Sequence, residues 1–217
     1  MMNSTNSSEK GIFRHKRLVQ TIVIIVLIFC TVYFGFQYIF SKNSISGPSM
    51  QPNFQTGNRV ITVRHSGLQR GDIVILRAPD KKNTLYIKRI VGMPGDNIVS
   101  QDNRMYINGE RYIESYLKQG GKMMESKDSI YSDMSYSYTY DFSVRKLAES
   151  QEWINIYNKP YLAMLKKTDR VPKGSYFVMG DHRTVSRDSR LIGFIDRDEI
   201  VGRVSLRYWP LSRFTVY

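Results

Sequence analysis

The sequence predicts a mostly β body carrying an inserted α+β segment and standing behind one N-terminal membrane-spanning helix. Three observations predict it: an uncharged apolar run at residues 18–40, a series of short β-branched runs separated by turn dipeptides, and a stretch at residues 114–170 whose composition breaks that series. The chain has 217 residues, 41% hydrophobic and 24% charged, which is the make-up of a folded protein with a packed core. It has length for one globular domain plus an anchor.

The apolar run reads LVQTIVIIVLIFCTVYFGFQYIF. At about 1.5 Å per residue such a helix spans a bilayer core of roughly 30 Å. A cleaved secretory signal has a shorter apolar region, about 7–15 residues, ending in small residues, whereas this run ends in aromatics, so a retained anchor is expected. Lys10, Arg14, Lys16 and Arg17 precede it and only Lys42 follows closely, which predicts a cytoplasmic amino terminus and an extracellular remainder. The lone Cys30 lies inside the run, where it acts as a small hydrophobe and can form no intramolecular disulfide.

Four basic residues against Glu9 in the tail leave about +10 of the formal +13 on the outer portion. Nucleic acid is therefore not the expected partner. Two readings stay open, a solvated basic surface or attraction to the anionic headgroups of membrane lipids. The carboxy-terminal Tyr208-Trp209-Pro210, with Phe214 and Tyr217, likewise suits either a membrane interface or ordinary core packing.

Short strands are expected at residues 59–64, 72–77, 84–91, 104–107, 176–179 and 200–208, where β-branched and period-two patterns dominate. Asn108-Gly109, flanked by Met105-Tyr106-Ile107 and Arg111-Tyr112-Ile113, predicts a tight hairpin because both turn residues tolerate positive φ. Residues 114–170 are rich in Ser, Tyr, Lys and Met. They read as an insertion with one helix around 144–156, and their Ser/Tyr-rich part around 127–140 suits a flexible loop or an extended hairpin. The expected division is a cytoplasmic tail 1–17, a transmembrane helix 18–40, a catalytic domain in two parts, 41–113 and 171–217, and the insertion 114–170.

Three segments carry chemistry in combination. In Gly47-Pro48-Ser49-Met50-Gln51-Pro52 a serine framed by glycine and prolines sits on a stiff turn that can fix its hydroxyl and a neighbouring backbone N–H. In Tyr86-Ile87-Lys88-Arg89-Ile90-Val91-Gly92-Met93-Pro94-Gly95-Asp96, strand alternation sends Tyr86, Lys88 and Ile90 to one face. A lysine among apolar neighbours can be desolvated, leaving a neutral amine that accepts a proton from serine, or it can snorkel to water as strand lysines do. The third segment, Gly180 to Gly193, reads GDHRTVSRDSRLIG, a tight hydrogen-bonded loop. There Ser186 can orient the amine while Asp188 and Arg190 brace the loop.

These segments, in this order behind a transmembrane helix, resemble bacterial type I signal peptidases over the outer portion apart from the insertion. The resemblance implies a signal-peptidase-like β-barrel or sheet fold and a Ser-Lys dyad that removes signal peptides from secretory preproteins. Ser49 matches the nucleophile, Lys88 the base, Ser186 the hydroxyl orienting that base, and Asp188 and Arg190 the supporting ion pair. Met50 matches the residue after the nucleophile, and Arg89, Gly92, Pro94, Gly95 and Asp96 fit the motif around the lysine. Gly47 stands where one branch of the family has an oxyanion-binding serine, so the Ser49 backbone N–H in the Gly47 region is the expected donor, as in the Gram-positive-like branch with a single anchor. Met50, Tyr86 and Ile87 are expected to line shallow substrate pockets for small side chains, the substrate adding as an extended strand.

Two departures stand out. Pro52 is followed by Asn53 where the family motif usually has threonine, and His182 stands where asparagine is common. His182 with Asp181 or Asp188 invites a Ser-His-Asp reading, but the resemblance aligns it with a structural loop position. Three histidines and one cysteine offer no ligand spacing, so no metal and no cofactor are expected. A specialised or non-catalytic relative assisting assembly of pili or other surface fibres is the alternative, and retention of both Ser49 and Lys88 argues against it. A self-cleaving repressor with the same dyad is disfavoured by the membrane span.

Overall fold

The computed structural model describes residues 5–117 and 136–217. It divides into two compact units, Met1–Ser41 and Lys42–Tyr217. The first is built on helix α1 (Thr5–Ile39), whose segment Lys16–Ile39 has a mean hydropathy of 2.4 and no buried residue. Its hydroxyls are spent locally: Thr21 donates to the Arg17 carbonyl at 2.9 Å and Thr31 to that of Leu27 at 2.8 Å. An apolar helix can therefore carry both without presenting an unsatisfied donor.

Strand β1 (Phe40–Ser44) leads into the second unit, followed by β2 (Arg59–Val63), β3 (Ile73–Arg77), β4 (Leu85–Gly92), β5 (Ile98–Gln101), β6 (Arg104–Ile107), β7 (Glu110–Tyr112) and β8 (Phe142–Ser143). Helices α2 (Val144–Leu147), α3 (Gln151–Ile156) and α4 (Lys159–Thr168) come next. Then follow β9 (Ser175–Met179), α5 (Ser189–Ile192), β10 (Ile195–Asp196), β11 (Ile200–Trp209) and β12 (Thr215–Val216). The unit is mostly β with some helix. One sheet has the order β1-β2-β11-β3-β4-β9-β10 with β12 also on β11, and the other is β7-β6-β5-β8. Neither closes on itself among the described residues, so the body is a pair of open sheets and not a barrel.

The six runs picked out by β-branched residues each match a strand to within one residue at either end. The Asn108-Gly109 hairpin joins β6 to β7 with φ of 54° and 83°, the left-handed values a two-residue turn needs. Strand β3 is buried on both faces: Ile73 and Ile75 join Ile45, Met50, Phe54, Val60, Ile87 and Val204, while Val74 and Leu76 join Ile90, Val178, Ile192, Ile195 and Ile200. A third cluster, centred on Trp153, Phe142, Phe177 and Phe194, fastens the helices to both sheets.

The single helix expected around 144–156 is two helices. Ser143 accepts from the Lys146 N–H and Ser150 from the Trp153 N–H, so each serine opens a new helix by satisfying amides that have no carbonyl partner. A further helix, α4, opens on Asn158 and closes at Asp169 with φ of 52°. The loop-or-hairpin choice for the Ser/Tyr-rich stretch falls largely on residues 118–135, which lie outside the described residues.

Candidate active site

Ser49 sits on the turn before the core. Gly47 adopts φ of +90°, where a side chain would be strained, and its N–H donates to Thr56 Oγ1 at 3.0 Å. The Gln51 N–H donates to the Pro48 carbonyl at 2.9 Å, and Met50, 1% exposed, plugs the turn into the cluster with Ile45, Ile75 and Ile87. From the other side His182 pins the same turn: its backbone N–H donates to the Ser49 carbonyl at 3.0 Å and its Nδ1 faces the Pro48 carbonyl at 3.2 Å. The imidazole therefore addresses a carbonyl, and burial, partly offset by that contact, lowers its pKa. It holds the turn and is not bonded to the Ser49 hydroxyl.

Lys88 comes from β4, in register with Val74 of β3, and is 3% exposed. Its Nζ lies 2.9 Å from Ser49 Oγ and 3.1 Å from the Ile87 carbonyl, with the Tyr86 ring centroid 5.1 Å away. Burial penalises the ammonium form and brings the pKa from near 10.5 to about 8. Asp188, Asp181 and Asp80 hold it up against that penalty, and Arg190 pushes it further down.

The loop after β9 supports the pair. Asp188, fully buried, accepts from Arg190 Nε and Nη2 at 2.8 Å each and from the Gly180 N–H at 3.0 Å, while Arg190 reaches the Arg183 carbonyl at 2.7 Å. Burial alone would raise the Asp188 carboxyl, but Arg190 and the Gly180 N–H outweigh it and hold it below the ordinary carboxylate range. Gly180 has no room for a side chain: a Cβ there would come within 2.2 Å of Ser186 Oγ and 2.3 Å of the Ser49 carbonyl. Ser186 is thus brought beside the Ser49 turn. Its buried hydroxyl has no hydrogen-bond partner among the described residues, so it does not bond the Lys88 amine in this structure.

A cavity of about 130 Å³ opens beside Ser49 and Lys88, bounded by Ser44, Ile45 and Ser46 on one side and Leu85, Tyr86 and Ile87 on the other. Met50 stands behind its wall and does not line it, because its side chain is taken up by the core. A larger cavity of about 700 Å³, lined by residues of β6 and β7 and of the segment that follows β7, includes neither Ser49 nor Lys88, so volume does not locate the chemistry here.

Two buried ion pairs were not legible in advance. Arg89 meets Asp181 with Nε and Nη2 at 2.9 and 2.8 Å, and lies 4.0 Å from the Tyr116 ring centroid. Asn53, the residue that departs from the usual motif, donates to Asp181 at 2.8 Å and to the Tyr116 carbonyl at 3.0 Å. Arg183 forks onto Glu114 and also reaches Thr139 Oγ1 at 3.0 Å. The available signal was the charge alternation of residues 180–190, which asks for partners without naming them.

The site holds the Ser49 hydroxyl against a buried amine with a lowered pKa, on a β-rich scaffold. The chain belongs to the family described as signal peptidase, peptidase S26, whose model matches residues 17–209. It is 34% identical over 203 residues to signal peptidase IB of Staphylococcus aureus strain Mu50, covering 92% of this chain and 93% of that protein. It is 32% identical over 182 residues to signal peptidase I of Bacillus caldolyticus, covering 82% and 84%. Among solved structures, a signal peptidase I from Enterococcus faecalis V583 is similar, at 29% identity, 64% of this chain, 97% of that one and a TM-score of 0.45.

Proposed function

We propose that Ser49 is the nucleophile and Lys88 the general base of this chain, a membrane-anchored serine peptidase that removes signal peptides from preproteins. The observation that carries the reading is the 2.9 Å contact between Lys88 Nζ and Ser49 Oγ with the amine buried. With a pKa of about 8, roughly one enzyme in ten holds the neutral amine at pH 7, enough to serve as base in a hydrophobic site. The amine takes the Ser49 proton as Oγ attacks the scissile carbonyl, then returns it to the leaving amine. In the second half it takes a proton from the water that opens the acyl-enzyme. The Ser49 N–H faces the developing oxyanion on a turn that Gly47 makes possible. Asp188 and Arg190 fix the loop, and Ser186 needs only to turn its unpartnered hydroxyl toward the amine to orient it.

Strand β9 pairs with Arg89, Ile90 and Gly92 of β4, and among the described residues no strand pairs with residues 85–88 on that side, which is where an added substrate strand would lie. The small cavity there suits small side chains, as in Ala-x-Ala cleavage sites. Residues 41–113 and 171–217 form the catalytic domain and 114–170 its insertion. The basic residues Lys10, Arg14, Lys16 and Arg17 keep residues 1–17 in the cytoplasm, so the span at 18–40 puts the catalytic unit outside. The carboxy-terminal aromatics divide: Tyr217 stacks on Phe54 at 5.4 Å, while Trp209 and Phe214, 49% and 57% exposed, are the ones placed to meet lipid.

Cleavage of a secretory preprotein by the detergent-solubilised chain tests the assignment. Ser49→Ala and Lys88→Ala each abolish it, while His182→Ala loses only a few-fold. A histidine variant as inactive as the serine variant would overturn the dyad.

A further inference from the structure

Lys88 is watched by three carboxylates, and they are not neutralised alike. Asp188 is forked by Arg190 and Asp181 by Arg89, both inside the protein. Asp80, on the loop between β3 and β4, is instead ion-paired with Arg187, whose side chain is 57% exposed. Arg187 sits between Ser186 and Asp188 on the loop after β9, so this pair ties two loops together across the solvent side of the lysine. The same Asp80 carboxylate faces the Tyr86 hydroxyl, and the Tyr86 ring lies 5.1 Å from Lys88 Nζ. A continuous path therefore runs from Arg187 through Asp80 and Tyr86 to the amine.

We propose that Asp80 and Arg187 are positioning residues for the Ser49–Lys88 pair: joined across two loops, they hold Tyr86 against the amine and set the field in which it gives up its proton. The proposal rests on the dyad reading above. Of the charges that act on Lys88, Asp188, Asp181 and Arg190 are fixed by buried partners, whereas the Asp80–Arg187 pair is reachable from water. Asp80 favours the ammonium form, so removing its charge makes the amine easier to deprotonate. Removing Arg187 leaves Asp80 uncompensated and does the reverse.

The test is the pH profile of kcat/KM for preprotein cleavage by the full-length chain in detergent. In Asp80→Asn the acid limb moves to lower pH by roughly half a unit, giving about threefold more active enzyme at pH 7, the size expected of a partly screened charge. In Arg187→Ala it moves the other way, and Arg187→Lys returns it to the wild-type position. Midpoints that stay together, or both move in one direction, overturn the proposal. Lys88→Ala run alongside separates the two readings: activity there sinks the dyad, while an inactive Lys88→Ala with unmoved midpoints sinks only the role of Asp80 and Arg187.

Discussion

Arg89 and Asp181 meet in a two-pronged ion pair, 2.9 and 2.8 Å, on the strand position immediately after Lys88. Because neighbouring strand residues face opposite ways, this pair grips the back of the strand that presents the amine, and Arg89 Nη1 also holds the Gly71 carbonyl at 2.8 Å. Asp181 is completely buried. Breaking one half leaves a buried charge alone, so Arg89→Ala is expected to cost about 3–5 kcal/mol in urea unfolding of the solubilised chain. A loss under 1 kcal/mol would show that water reaches the pair.

Gly180 packs directly against the Ser49 turn. A methyl group added there meets both Ser186 and the Ser49 carbonyl, and the turn must shift to make room. Gly180→Ala is expected to cost about 1–3 kcal/mol of stability, as overpacking does. Its effect on kcat should be larger, on the order of a hundredfold, since a displacement near 1 Å spoils attack geometry. Full activity in that variant would mean the turn is softer than the contacts imply.

Ser186 gives a cleaner separation. Its hydroxyl is buried and unpartnered among the described residues, so Ser186→Ala removes no bond that the folded state makes. Stability should change by less than about 0.5 kcal/mol, or rise, while kcat falls at least tenfold if the hydroxyl turns to the amine during reaction. Equal losses in both measurements would make the residue merely structural.

Burying Lys88 has a stability cost that depends on pH. The folded-state pKa of about 8 lies below the ordinary 10.5, so between those values the unfolded chain holds a proton the folded chain has released. Stability attributable to this residue therefore rises as pH climbs from about 8 to 10.5 and is lowest below that window. Lys88→Met, which fills similar space without charge, should unfold at a higher temperature than wild type at pH 7, by roughly 1–3 kcal/mol of stability, while being inactive. A destabilised methionine variant would indicate that the ammonium is better accommodated than its burial suggests.

The strands that β-branched residues announce, such as Ile73–Arg77 and Ile200–Trp209, were legible because the pattern is the packing. Strand β1, with the sequence FSKNS, was not, since polar residues give no period to read. The split of the expected helix at Ser150 turns on a side chain accepting a backbone N–H, and a serine in a helical pattern does not announce whether it caps or points outward. Ser49, Lys88, Asp188 and Arg190 stand out as candidates in the sequence because they lie in short local motifs. Asp80 and Arg187, 107 positions apart, and Arg89 and Asp181, 92 apart, meet only through sheet order, which residue spacing cannot encode. Met50 reads from the motif as a pocket-wall residue, whereas Ile45 and Ile75 hold it in the core.

The most direct measurement is the titration of the Lys88 amine itself, followed by NMR of ε-carbon-labelled lysine in the Ser49→Ala chain, with Lys88→Met identifying the signal. One lysine should titrate near 8, well apart from the rest, and vanish in the methionine variant. If every lysine titrates together above 10, the amine is not held in the form that can take a proton from Ser49, and the account fails.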